Sequence, residues 1–288
     1  MKLSMWSSFY VKETPEEMVN FLLKGGFRYT ELSFEHSAVL MERADGGASF
    51  KKQIDEKGFQ IPQGHLNFCN IPGTQIPTDL ASFDEKIRRD SIDGWKRELE
   101  LFEMLGIERA VLHPGGMRTF ADGEKSVSEI DEQRNKGLVE LAEFTRNMKV
   151  MVCLENMATG YYMSCAESLI GAIRKTGMDN IKICLDTGHL NIRKRQEHED
   201  FIRICGKQYL QALHIADNDG RSDEHLLPGG GTVDWKKTAA ALIEIGYDRL
   251  LNFEVPGTSW TSCFGDLELR HAILPFAKKL GETVFKGL

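Results

Sequence analysis

Residues 181–189 run Ile181-Lys182-Ile183-Cys184-Leu185-Asp186-Thr187-Gly188-His189. A short apolar run rich in branched side chains, without a turn former inside it, reads as a strand. A strand that is apolar at nearly every position belongs to a parallel sheet covered on both faces. The acid at its C-terminal end is out of place in such a strand. The same pattern occurs upstream, where Val150–Glu155 ends in Glu155-Asn156, and downstream, where Gln211–Ala216 carries His214 and leads into Asp217-Asn218-Asp219. Ser164–Lys175 and Glu199–Gly206, between these runs, have helical spacing. Strand–helix alternation of this kind predicts parallel strands covered by helices.

The alternation extends to both ends of the chain. Further strand-like runs are Lys2–Ser7, Tyr29–Ser33, Ile61–Asn67, Ala110–His113 and Leu250–Val255, which makes eight. Helical stretches include Pro15–Lys24, Phe83–Leu105, Ser128–Arg146, Trp235–Ile245 and Cys263–Leu280. Eight units in 288 residues argue for closure into a (β/α)8 TIM barrel over an open sheet. No GxGxxG follows the first strand, so the dinucleotide-binding alternative lacks its mark. Thr14-Pro15-Glu16-Glu17 reads as a helix cap, a first-turn proline and acids at the positive helix end. Asp234 reads as the cap of the helix opening at Trp235, and Gly25-Gly26, Gly106, Gly177 and Gly246 as helix stops. With no low-complexity or Pro/Ser-rich linker, residues 1–288 are expected to form one α/β domain.

Apolar residues are 41% and charged residues 27%, ordinary for a globular chain, and the net charge is −7. An acidic balance disfavours a nucleic-acid partner, and the basic cluster Arg193-Lys194-Arg195 is followed at once by Glu197, Glu199 and Asp200. No run reaches the roughly 18 apolar residues of a membrane span. The first residues carry no export signal, so a cytoplasmic location without a membrane partner is expected. The six cysteines, Cys69, Cys153, Cys165, Cys184, Cys205 and Cys263, form no CxxC and read as reduced thiols.

Six strands end in acids or histidines: His65 and Asn67, His113, Glu155, Asp186 with His189, His214 with Asp217, and Glu254. Alone, each is a cap or a hydrogen-bonded structural residue. Together, in order and at one end of their strands, they converge on one mouth of a barrel. Unpaired buried carboxylates cost several kcal/mol, so a cluster of them needs a cation. Three carboxylates and one imidazole from Glu155, Asp186, His214 and Glu254 suit one divalent metal, Mn, Co, Mg or Zn.

The motifs Leu154-Glu155-Asn156, Leu185-Asp186-Thr187-Gly188-His189, Leu213-His214-Ile215-Ala216-Asp217-Asn218-Asp219-Gly220 and Asn252-Phe253-Glu254 resemble those of the xylose isomerase-like TIM-barrel superfamily. This is the sugar phosphate isomerase/epimerase group that also includes endonuclease IV. A fifth segment, Asp223 to Trp235 with its Pro228-Gly229-Gly230-Gly231 run, carries the same likeness. The resemblance spans nearly the whole chain. It implies that Glu155, Asp186, His214 and Glu254 bind one metal and that Glu155 and Glu254 are the acid/base pair. It also implies that His189 lies beside substrate, and His65, His113 and His225 are carried with it as substrate-side residues. The implied activity is a metal-dependent isomerase or epimerase. Its substrate would be a small sugar or sugar phosphate, with proton transfer passing through an enediolate that a bound metal stabilises. Loss of a β-hydroxyl would make the reaction a dehydration instead. The family also leaves room for a homo-oligomer.

A rival comes from the same resemblance. Endonuclease IV-like members hold three zinc ions, and residues of the right type stand at each additional position: His65, His113, His189, Asp223 and His225. Against a trinuclear phosphoesterase stand the acidic charge and the absence of a basic, aromatic loop for entering a duplex; Phe34-Glu35-His36 is a poor one. A binding barrel without activity is a third reading, disfavoured because both bases are retained. Trp6 and Trp260 are candidates to wall the pocket, Asn67 and Asn156 to meet hydroxyls, and Arg193 and Arg221 to meet a phosphate. Glu31 is read either as a hydroxyl partner or as a mate of Arg28. The glycine run is read as a turn or a lid hinge.

Overall fold

The computed structural model describes residues 2–158, 161–255 and 266–288. Trp260 and Cys263 therefore lie outside the described residues. Strands β1 (Lys2–Met5), β2 (Tyr29–Leu32), β3 (Gln60–His65), β4 (Arg109–Leu112), β5 (Met151–Glu155), β6 (Ile181–Asp186), β7 (Leu210–Ile215) and β8 (Leu250–Phe253) follow one another in chain order. They close into a parallel barrel in the order β1 to β8. The closing seam pairs Lys2, Leu3, Ser4 and Met5 with Leu250, Leu251, Asn252 and Phe253. Closure satisfies the backbone groups that an open edge would leave unpaired.

The outer ring contains α1 (Pro15–Lys24), α2 (Phe34–Met41), α3 (Ala48–Glu56), α4 (Glu85–Leu105), α5 (Met117–Asp122), α6 (Val127–Thr145), α7 (Ala166–Thr176), α8 (Thr187–Asn191), α9 (His198–Tyr209), α10 (Trp235–Glu244) and α11 (Leu267–Val284). The Thr14 cap is a full capping box: Glu17 N–H donates to the threonine hydroxyl and the Glu17 carboxylate takes the Thr14 N–H. Asp234 accepts from Lys237 N–H, as its position before Trp235 predicts. Helix α6 begins earlier than its apolar spacing suggests, because Ser126 and Glu129 make a second capping box. Helices α2, α3, α5 and α8 lie in stretches that the sequence reading leaves unassigned.

Helix α4 comes close to the barrel wall over one glycine. A Cβ on Gly64 of β3 would stand 2.6 Å from the Phe102 ring, so the absence of a side chain at this position lets the ring seat against the strand.

The barrel interior is layered. Val111, Cys153, Cys184 and Ala212, from four adjacent strands, form one buried cluster with Met151 packed against it. Side chains alternate faces along a strand, so the residues two positions further on also point inward. These are His113, Glu155, Asp186 and His214. The apolar layer is thus the floor, and the sequence period alone puts the polar layer directly above it at the C-terminal mouth. The described cysteines form no disulfide with one another. No helix among the described residues is long and apolar enough to cross a membrane.

Candidate metal centre

Glu155, Asp186, His214 and Glu254 each bring one ligand atom to a common point, and these atoms all lie within 4.8 Å of one another. All four residues are buried. Glu155 ends β5, Asp186 ends β6, His214 lies in β7 and Glu254 directly follows β8. Asp186 divides its two oxygens: Oδ1 accepts the His189 N–H at 2.6 Å and so caps α8, while Oδ2 has no hydrogen-bond partner. His214 Nδ1 and Glu254 Oε2 are also without a hydrogen bond, although they stand 2.8 Å apart. From the same Nδ1, Glu155 Oε1 lies at 3.5 Å and Asp186 Oδ2 at 3.8 Å. Three converging buried polar atoms, two carboxylate oxygens and one imidazole nitrogen, would be costly without a cation. The donor set of one imidazole nitrogen and three carboxylates fits a divalent ion.

The electrostatics match this geometry. Burial pushes the Asp186 carboxyl up to about 7, with the charges of Glu254 and Glu155 adding to it against the pull of His189. Burial also works to raise Glu155, but His214 and His113 outweigh it and hold the carboxyl well below the usual range. For Glu254 the same contest, won by His214, ends at about 2.

The remaining histidines surround this cluster. His65 Nε2 and His113 Nε2 stand 3.2 Å and 3.4 Å from Glu155 Oε2. His65, His113 and Glu155 also have ligand atoms within 4.8 Å of one another. His189 Nδ1 is 3.1 Å from Glu155 Oε1 and its Nε2 is 3.3 Å from Asp223 Oδ2. His225 Nε2 meets the same Asp223 oxygen at 3.0 Å, and its Nδ1 meets the Glu254 carbonyl oxygen at 2.7 Å. The structure brings all eight sequence-predicted site residues together at the mouth. His65 and His225 are buried there, while His113 and His189 keep some exposure.

Several lesser candidates make hydrogen bonds within the protein. Asn156 spends its amide on β6, donating to the Asp186 carbonyl at 3.0 Å and accepting the Asp186 N–H at 2.7 Å. Asn67 accepts the Cys69 N–H and donates to the Asn70 carbonyl within its own loop. Trp6 is buried and donates its indole N–H to the Val255 carbonyl. Arg193 and Arg221 are exposed. The glycine run is a turn strapped to the barrel by Asp217. This buried carboxylate accepts from Gly229 N–H, Val233 N–H, the Trp235 indole and its neighbour Asn218 N–H. Gly231 sits so close to the Asn218 carbonyl that a Cβ would stand 2.1 Å from its oxygen.

Glu31 pairs with His214, not Arg28: its Oε1 lies 3.0 Å from His214 Nε2, and both side chains are fully buried. The sequence held a signal for it, a charged residue inside an otherwise buried strand, but no indication of its partner. Beside His113, between the loops after β3 and β4, opens a cavity of about 480 Å³ lined by Phe68, Thr78, Asp79, Trp95 and Arg118 among others.

Comparison with known proteins adds to this geometry. A family model described as xylose isomerase-like TIM barrel matches residues 19–276. The D-psicose 3-epimerase of Agrobacterium fabrum is 27% identical over 257 residues, covering 86% of this chain and 82% of that one. A probable endonuclease 4 of Campylobacter fetus subsp. fetus is 25% identical over 221 residues, 71% of each chain. The solved structure of the IOLI protein with a zinc atom superposes with a TM-score of 0.78 over 99% of this chain and 98% of that one; at 18% identity this shows a shared fold. The family match covers most of the barrel, from α1 into α11, and the chain belongs to the xylose isomerase-like TIM barrel family.

Proposed function

We propose that this protein is a metal-dependent isomerase or epimerase acting on a small polyhydroxy carbonyl compound, a sugar or sugar phosphate. The observation that carries the reading is the convergence of Asp186 Oδ2, His214 Nδ1 and Glu254 Oε2, all buried and none hydrogen-bonded, beside Glu155. A divalent ion, Mn, Co, Mg or Zn, held by these four residues would polarise a chelated carbonyl and acidify the adjacent C–H. The chain's own contribution is a pair of carboxylates on different strands. Glu155 and Glu254 both reach the site, so the one that enters as a carboxylate can take the proton from one face of a carbon while the other, entering as the carboxylic acid, delivers its own proton to the opposite face. His189 and His113, partly exposed beside Glu155, are placed to meet substrate hydroxyls. The epimerase among the relatives supports this reading.

One observation favours a second reading. The His65–His113–Glu155 group, together with Asp223 between His189 and His225, offers two further sets of ligand atoms. That arrangement suits a trinuclear zinc phosphoesterase, and the endonuclease among the relatives keeps a nucleic-acid substrate in play. A dehydratase using the same metal and bases is a variant of the first reading.

Elemental analysis of protein purified without added metal or chelator separates them, combined with a ketose screen in D2O. One equivalent of metal per chain and solvent deuterium in a sugar product support the isomerase or epimerase. Three equivalents of zinc, with phosphoester cleavage and no exchange into any ketose, overturn it.

A further inference from the structure

His214 has two ring nitrogens, and only one can face the ligand cluster. Which of them carries the proton decides whether the other can bind a cation. Four buried side chains on four strands answer this question. Ser4 Oγ–H of β1 donates to Asn252 Oδ1 of β8 at 2.7 Å. The Asn252 amide nitrogen donates to Glu31 Oε2 of β2. The other Glu31 oxygen stands 3.0 Å from His214 Nε2 of β7. All four residues are 0% exposed.

The chain of bonds has one self-consistent direction. One Glu31 oxygen accepts the Asn252 amide N–H, and a carboxylate can only accept, so the ring nitrogen facing its other oxygen is matched to it as an N–H donor. That places the Asn252 amide nitrogen toward Glu31 and its carbonyl oxygen toward the Ser4 hydroxyl. It also makes His214 Nε2 an N–H donor, which leaves Nδ1 as the nitrogen that can bind a cation held among Glu254, Glu155 and Asp186. The register agrees, because Ser4 and His214 are the two barrel neighbours of Asn252.

We propose that Glu31 is a positioning residue for the metal centre: through His214 it fixes the imidazole in the tautomer and orientation that make Nδ1 a ligand, and Asn252 and Ser4 hold Glu31 in turn. A carboxylate behind a ligating histidine also raises the basicity of that ligand and adds negative charge near the cation. Glutamine at position 31 would match the shape but present an NH2 to His214. Pairing with that donor selects the proton on Nδ1, the nitrogen that must be free to bind.

The inference rests on the metal centre proposed above but not on any substrate. The test is metal affinity measured by competition with a chromophoric chelator, using Co²⁺ and Zn²⁺ on the full chain, alongside the Co²⁺ absorption spectrum and the histidine ¹⁵N–¹H correlation spectrum of metal-free protein. Glu31→Gln should bind roughly 10- to 100-fold more weakly, the cost typical of losing such a partner, with a changed Co²⁺ spectrum and loss of the Nε2–H signature at His214. Glu31→Asp, which keeps the acceptor, should retain more affinity than Glu31→Gln. Should Glu31→Gln fail to fold, Ser4→Ala and Asn252→Ser at the far end of the chain should show a smaller weakening of the same sign. Unchanged affinity in folded Glu31→Gln, or in both outer variants, overturns the role of Glu31 while leaving the metal centre standing. A wild-type protein that binds no divalent ion overturns both.

Discussion

Removing the metal should lower the stability of this barrel by an amount that can be worked out beforehand. Metal-free, the mouth buries three polar atoms without hydrogen bonds, at Asp186, His214 and Glu254, in a cluster that also includes Glu155. An ion that binds the folded chain and not the unfolded one stabilises it by RT ln(1 + [L]/Kd), about 4 kcal/mol when free metal stands at a thousand times Kd. Unfolding entropy is about 2.1 cal/mol/K per residue, or roughly 0.6 kcal/mol/K for this chain, so the melting temperature should rise by about 7 °C on loading. The assay is differential scanning calorimetry of chelator-stripped protein, with and without Mn²⁺, Co²⁺ or Zn²⁺. Protons compete for the same ligands, so the gain should shrink between pH 7.5 and pH 5. Asp186→Asn should abolish most of the gain. If stripped and metal-supplied protein melt within about 1 °C of each other at neutral pH, where loading should be worth about 7 °C, the orphaned atoms are not a cation site and the reasoning fails.

Glu254→Gln should lower turnover by roughly 10²- to 10⁴-fold, the usual worth of a general acid or base, and weaken metal binding as well; full activity in a metal-replete variant would refute the two-base mechanism. His36 lies in a buried network with Ser7, Ser33 and the Glu13 carbonyl, and burial lowers its pKa from 6.5 to about 4. The unfolded chain therefore takes up the proton first. The His36 contribution is present above pH 6.5 and is lost as pH falls toward 4, by up to about 3 kcal/mol. Urea titrations from pH 7 to 4.5 should show a steeper loss in wild type than in His36→Gln, and parallel curves would count against it. Gly64→Ala should cost about 1–3 kcal/mol by overpacking against Phe102, read from the urea midpoint; a neutral change would mean that α4 shifts freely.

The eight strands were legible because they are short apolar or alternating runs, the patterns that buried and half-buried strands favour. The candidate ligands were legible for the same reason: Glu155, Asp186, His214 and Glu254 interrupt or end apolar runs at equivalent places. Helices α2 and α3 were harder to read. The buried face of α2 includes the polar His36 and Ser37, and α3 opens after Gly47 in the left-handed region with no side-chain cap. Both lack the signals that marked α1. Asp217 was visible as part of a motif, but its four donors come from its neighbour and from a loop that reaches it only after folding back.

Local chemistry determined which residues form strands, where the polar layer lies and which side chains are candidate ligands, because period-2 alternation and helix caps act between near neighbours in the chain. Partnership was decided by the tertiary structure. Glu31 and His214 are separated by 183 positions in the chain, and Ser4 and Asn252 by 248. Closure of the barrel brings β1, β2, β7 and β8 together, and only then does an otherwise unexplained carboxylate meet His214. His65 and His113 likewise converge on Glu155 only in the closed barrel, because their strands are joined through long helices and meet at the mouth.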